Sequence, residues 1–274
     1  MSDTIVLNKK NEYFLSIATQ DMHSFIMLGV VTTYGEPKLL ARIGQTADVN
    51  PNPTLKAICS GVLARIADEG IHRYSQRITN INYQAYAINY EQLKEFLGMI
   101  SEIETEQLKN PKIQAGIKFK YGNDTWDKGK IKCYIPIQEN QDNDLVTFEY
   151  NILKEFKFAA DEALKAKVES KVTPKIASGV QQVYLTNTCR TAAKNIVEAV
   201  LGFTTDISKY FFISPRYESK LVAGEPEKAS FYILPLPPNT VNVSLKQTSI
   251  LKKFLRPKSL AIALTMLSFL KILK

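Results

Sequence analysis

The sequence is short of the side chains that build metal centres and disulfide frameworks. Its 274 residues hold three cysteines, Cys59, Cys133 and Cys189, with no C-x-x-C spacing among them, and two histidines, His23 and His72. A zinc ribbon or a disulfide-stapled scaffold needs more than this, so no metal and no cofactor is expected. There is no Gly-rich phosphate loop of the P-loop or dinucleotide type and no RNA- or DNA-binding motif. Aromatic residues do not alternate with the basic ones as a base-stacking surface requires, and no nucleic-acid partner is expected. The first ten residues lack the apolar core and small-residue cleavage site of a secretory signal peptide. The uncharged stretch 259–270 is twelve residues long, short of the roughly 20 that cross a bilayer as a helix. With so few cysteines, a reducing cytoplasm is the expected setting.

What is present is an ordinary globular composition, 45% apolar and 23% charged, long enough to bury a core without staples. The net charge of +8 is unevenly spread. Residues 244–274 carry Lys246, Lys252, Lys253, Arg256, Lys258, Lys271 and Lys274 and no acidic residue. Without those seven, 28 cations face 27 anions, so the body is close to neutral.

Along the chain, residues 13–19, 23–32 and 38–43 read as three short strands joined by turns, an antiparallel meander. A turn at 50–53 precedes an expected helix from Thr54 to about Asp68, with Leu55, Ile58, Cys59, Val62 and Ile66 at helical spacing. A strand at 85–89 leads to a helix at 91–100. The more polar span 101–180 contains a strand-like run at 131–137 and a long helical pattern at 152–171, and reads as an insertion or small subdomain. A short approach at 183–186 then leads to a helix at 189–201, capped by Asn187 or Thr188 and stopped by Gly202. Strands are expected at 209–214 and 230–236. The expected layout is a body formed by 1–100 and 181–243, the insertion 101–180, and the basic tail 244–274. The fold class is α+β, with a central antiparallel sheet and the 189–201 helix packed on it.

Cys189 is the most informative position. In the first turn of a helix its sulfur meets unpaired N–H groups and the positive end of the helix dipole, both of which favour thiolate. It also shares a helical face with Ala193, Ile196, Val197 and Val200, which turns the sulfur toward the body of the protein. A small buried thiol would satisfy the same pattern, so a base is needed to make it a nucleophile. His23 opens a strand and can present its ring at the sheet's end. If Val31 pairs with Pro37, the register brings Gln45 beside His23, where its amide can orient the imidazole. Asp21 and Asp48 compete for that third role, and His72 for the base.

The segments D-M-H-S-F-I-M-L-G-V-V, G-E-P-K-L-L-A-R-I-G and N-T-C-R-T-A-A-K-N-I-V-E together resemble the circularly permuted papain-like cysteine hydrolases. These include permuted NlpC/P60 peptidases and lecithin–retinol acyltransferase-like proteins, in which the histidine strand precedes the nucleophile helix. Similar arrangements occur in translocated effectors of intracellular bacteria. The resemblance covers about residues 13–44 and 184–202. It implies Cys189 as nucleophile, His23 as base, and Gln45 at the place of the family's variable third polar residue. The chain departs from the pattern in having no Cys-Glu-His motif after the nucleophile and in its long linking segment.

The expected activity is hydrolysis or acyl transfer at an amide or ester of a protein or lipid. The Cys189 N–H would stabilise the oxyanion, with Asn187 or Gln182 as a second donor. A noncatalytic protein-binding effector module is the alternative. In the tail, Leu245, Leu251, Phe254 and Leu255 beside Lys252, Lys253, Arg256 and Lys258 fit an interfacial segment on an anionic membrane or a terminal helix docked on its own domain. The expected location is the cytoplasm of the producing cell or of a host cell, with peripheral membrane attachment through this tail.

Overall fold

A computed structural model of the chain describes residues 3–49, 61–71, 78–122, 129–140, 142–155, 161–208 and 217–237. Its strands are β1 (Thr4–Asn8), β2 (Tyr13–Gln20), β3 (His23–Val31), β4 (Pro37–Thr46), β5 (Val62–Leu63), β6 (Arg65–Asp68) and β7 (Thr79–Ile88). After these come β8 (Lys132–Glu139), β9 (Leu145–Ile152), β10 (Gln182–Val183), β11 (Tyr217–Val222), β12 (Glu225–Pro226) and β13 (Ile233–Leu234). Five α-helices lie among the described residues: α1 (Tyr90–Leu108), α2 (Pro111–Tyr121), α3 (Glu162–Lys171), α4 (Pro174–Gly179) and α5 (Cys189–Leu201).

The main sheet runs β12-β11-β7-β2-β3-β4-β6, with β13 added in parallel beside β7 and every other pairing antiparallel. The α+β class and the central antiparallel sheet agree with the sequence reading. The β2, β3 and β4 meander stands where runs rich in Ile, Val, Leu, Phe and Thr, divided by turns, placed it. Its strands are buried almost end to end, because both faces of the sheet are covered.

Side-chain alternation separates those faces. Tyr13 meets Tyr90 of α1, and Thr19 meets Arg190 of α5, so the odd-numbered residues of β2 look toward the helices. Phe14, one residue over, packs on Phe231 from the opposite side. On the helical side, α5 buries Ala192, Ala193, Ile196, Val197, Val200 and Leu201. Full burial of Ile196 and Val197 stabilises the docked helix by about 2 kcal/mol each. Thr188 is its N-cap, and Gly202, at φ +77°, supplies the left-handed residue that ends it.

Two sequence expectations are overturned. The helix expected to run through Asp68 is replaced after residue 61 by β5 and β6. Val62, Ala64 and Ile66 are buried at a spacing of two, and β6 pairs with β4. The free edge of β6 is closed by the Gln107 carboxamide of α1, which accepts from the Ile66 N–H at 2.8 Å and donates to the Ile66 carbonyl at 2.9 Å. The long helix expected at 152–171 is divided. Ile152 ends β9, residues 153–155 form one 3₁₀ turn, and α3 begins only at Glu162.

The span 101–180, read from sequence as an insertion, belongs to the same compact unit as the main sheet, Met1–Leu236. Its strands β8 and β9 join β1 in a three-stranded sheet. Its helix α3 is tied to α1 by Lys167 and Lys171, which both pair with the fully buried Glu95. The expected strand at 209–214, residues Cys59 and His72, and the tail with Lys252, Lys253, Arg256 and Lys258 lie outside the described residues.

Candidate active site

Two distant segments meet at one end of the β2–β3 hairpin. Gln20 pairs with His23 across a two-residue turn, in which Asp21 takes φ +53°, a left-handed conformation that Asp tolerates better than most residues. His23 is thereby fixed as the first residue of β3. Cys189, the first residue of α5, arrives from the helical side.

Cys189 is partly buried, and its sulfur accepts a hydrogen bond from the Ser24 backbone N–H at 3.2 Å. Burial alone would push its pKa up. Hydrogen bonding to His23, the charge on that ring, and the N–H groups of Ser24 and Arg190 outweigh burial and hold the thiol below its ordinary value.

His23 is perturbed in the complementary sense. Burial would lower its pKa, but the hydrogen bonds to Cys189 and Glu69, together with both negative charges, raise it to about 9. The two groups are shifted in opposite senses, the thiol down and the imidazole up, which is the direction that favours a thiolate beside an imidazolium. The ring's Nε2 lies 2.9 Å from Glu69 Oε1, which leaves Nδ1 as the nitrogen available to the sulfur. The imidazole is 39% exposed and the Glu69 side chain 8%, so a buried carboxylate holds a ring that a substrate can reach.

The encounter of His23 with Glu69 depends on Gly44. Glu69 directly follows β6, and its N–H continues the ladder by donating to the Arg42 carbonyl at 2.9 Å. His23 is on β3, and β4 runs between the two. Phe25 pairs with Gly44, so Gly44 faces the same side as His23 and occupies the gap between the imidazole and the carboxylate. A Cβ there would stand 2.5 Å from Glu69 Oε1 and 3.0 Å from His23 Nε2. The absent side chain is the window through which the two meet.

Gln45, expected to orient the imidazole, does not do so. Val31 does pair with Pro37, but the register shifts by one between Leu28 and Gly29. That bulge leaves Gln45 on the opposite face of β4 from His23. Its Nε2 donates instead to the carbonyls of Gly179, Val180 and Gln182 at 3.2, 2.9 and 3.1 Å. Asn187 is a second clamp on the same loop, with Nδ2 donating to Gly179 O at 2.6 Å and Gln182 O at 2.7 Å. Both of its amide hydrogens are therefore committed, which corrects its assignment as an oxyanion donor. The Gln182 side chain is exposed and lines a cleft of about 230 Å³ together with Leu63, Tyr184 and Asn187.

Of the other candidates for the third role, Asp21 is exposed in the hairpin turn. Asp48 is held by Arg65, whose Nε and terminal nitrogen donate to its two oxygens at 2.9 and 2.8 Å. Burial works against its ionisation, yet Arg65 and Lys120 keep its pKa below the ordinary value. Cys133 is fully buried, and burial pushes its thiol well above the ordinary range. Among the described residues, no group of three or more His, Cys, Asp or Glu side chains is placed to hold a metal ion, and no helix is long and apolar enough to cross a membrane.

Sequence reasoning missed Glu69, Ser24 and Arg190. The signal for Glu69 is the Asp-Glu-Gly end of the 65–68 strand, which becomes legible only once that stretch is read with a period of two. No protein-family model, curated protein or solved structure matches this chain.

Proposed function

We propose that the protein is a thiol-dependent hydrolase or acyl transferase acting on an amide or ester, with Cys189 as nucleophile, His23 as acid and base, and Glu69 in place of Gln45 as the orienting residue. The single observation that carries this reading is a partly exposed imidazole held at 2.9 Å by a buried carboxylate, on the strand whose next residue gives its N–H to the Cys189 sulfur. Structural cysteines sit in apolar surroundings, as Cys133 does. Cys189 instead has an electropositive, partly exposed environment suited to attack.

In the proposed cycle the Cys189 thiolate attacks the carbonyl carbon, and the carbonyl π pair moves onto oxygen. The N–H of Cys189, in the unpaired first turn of α5, stabilises that oxyanion. The exposed Gln182 side chain is the candidate second donor. The His23 imidazolium gives its proton to the leaving amine or alcohol, and a thioester remains on Cys189. Neutral His23 then takes a proton from water, giving hydrolysis, or from an acceptor amine or hydroxyl, giving transfer. Attack by that nucleophile expels the thiolate and restores the starting pair. Glu69 holds the ring throughout.

The order of these parts, with the base strand ahead of the nucleophile helix, supports a permuted papain-like arrangement, and a translocated effector is the setting that this likeness suggests. The test is incubation with p-nitrophenyl esters, followed by intact-mass analysis. The expected result is an acyl adduct on Cys189, absent in Cys189→Ser and formed slowly in His23→Ala. Equal nitrophenol release by wild type and Cys189→Ser, with no adduct, would favour the noncatalytic binding module.

A further inference from the structure

The residues that follow the two reacting side chains are themselves cross-linked. Ser24, next to His23, gives its N–H to Cys189 Sγ at 3.2 Å. Arg190, next to Cys189, gives its Nε–H to Ser24 Oγ at 3.3 Å and a terminal N–H to Thr19 Oγ1 at 3.5 Å. Ser24 Oγ and Thr19 Oγ1 are 3.0 Å apart across the β2–β3 ladder. Arg190 is only 3% exposed, although it lies in the first turn of a helix.

Resting on the cysteine–histidine reading above, we propose that Arg190 is a positioning residue of the site. Its guanidinium joins α5 to the end of the β2–β3 hairpin, so that the Ser24 N–H stays on the sulfur while a permanent positive charge lies beside the thiolate.

A buried guanidinium is costly to desolvate, and hydrogen bonds to the neutral Ser24 and Thr19 hydroxyls offset only part of that cost. Burial lowers the Arg190 pKa, and the negative charge of Cys189 works against that shift. The other charged groups at the sulfur are His23 from β3 and, behind it, Glu69 after β6. Arg42 of β4 is directed to Gln20 Oε1 and to the face of the Phe25 ring. His23 loses its charge as pH rises through about 9, whereas a guanidinium does not. Arg190 therefore adds a charge that does not titrate with the imidazole, and its hydrogen bonds to Ser24 and Thr19 hold the helix to the hairpin that carries His23.

The test is a thiolate titration by ultraviolet absorbance in a Cys59→Ser background, where buried Cys133 is silent, comparing wild type with Arg190→Met, Arg190→Lys and Ser24→Ala. Arg190→Met removes the charge and the donors at similar volume, and should move the thiolate transition up by about one pH unit, roughly tenfold in thiolate fraction at a given pH. Arg190→Lys keeps a charge without the planar fork and should fall between the two. Ser24→Ala keeps the N–H but removes its tether, and should shift the transition in the same direction by less. A merely structural arginine would lower the melting temperature and leave the transition unmoved. If Arg190→Met does not fold, wild-type titration by both Arg190→Lys and Ser24→Ala overturns the proposal. A depressed wild-type transition that Arg190→Met leaves in place overturns this inference alone. A wild-type transition in the ordinary thiol range overturns the functional reading and this inference with it.

Discussion

Replacing Glu69 with Gln removes one charge from the site and keeps an acceptor of the same size in the same place. His23 titrates at about 9 in the folded protein and at about 6.5 in an unfolded chain. A raised histidine pKa gives stability that is fully present below about 6.5 and is lost as pH rises through about 9. Because the ring is 39% exposed, water screens part of the interaction. The Glu69 share is then that of one charge-assisted hydrogen bond, about 2 kcal/mol. At 1.36 kcal/mol per pH unit, Glu69→Gln should bring His23 down to about 7.5. The protein should lose about 2 kcal/mol below pH 6.5, a deficit that closes as pH approaches 9. Imidazole proton NMR reads this cleanly, since a His72→Ala background leaves His23 as the single histidine. If His23 in Glu69→Gln titrates within a few tenths of a unit of wild type, the carboxylate does not hold the ring.

Gly44→Ala should drive Glu69 and His23 apart, because the new Cβ would stand 2.5 Å from Glu69 Oε1. Overpacking of this kind costs about 1–3 kcal/mol, so the protein should still fold while its Cys189 alkylation near neutral pH slows; an unchanged rate would remove Gly44 as the window. Gln45→Ala orphans the Val180 carbonyl, while Asn187 still serves Gly179 and Gln182. Denaturant melts should show a loss of about 1–3 kcal/mol, and the His23 titration should not move, as it would if Gln45 held the ring. Cys133, sealed in the core, should stay unlabelled in native protein and react only on unfolding, as followed by peptide mass mapping.

How much of this was legible in the sequence followed from how local the determinants were. The α5 boundaries, the meander, and the Cys189 and His23 candidates could be read because capping, a terminal Gly and apolar, β-branched runs between turns are written within a few positions of each other. Glu69 could not. Val62 and Ile66 fit a helix with Leu55, Ile58 and Cys59, yet with Ala64 they fit a strand equally well. Pairing with β4 and the Gln107 seal decided between the two. Gln45 was misplaced by a single bulge at Leu28 and Gly29, since one residue of slip exchanges the faces of a strand. Arg190 gave no sequence signal, because an arginine in a first helical turn ordinarily faces water.

The most direct test of the central claim is the pH dependence of iodoacetamide alkylation at Cys189, followed by mass spectrometry in wild type and His23→Ala. A thiolate held by an imidazolium predicts fast labelling that has already levelled off below the ordinary thiol range of about 8.5, and loss of that plateau in the variant. Labelling that climbs only toward that range, with the same profile in both proteins, would contradict the account.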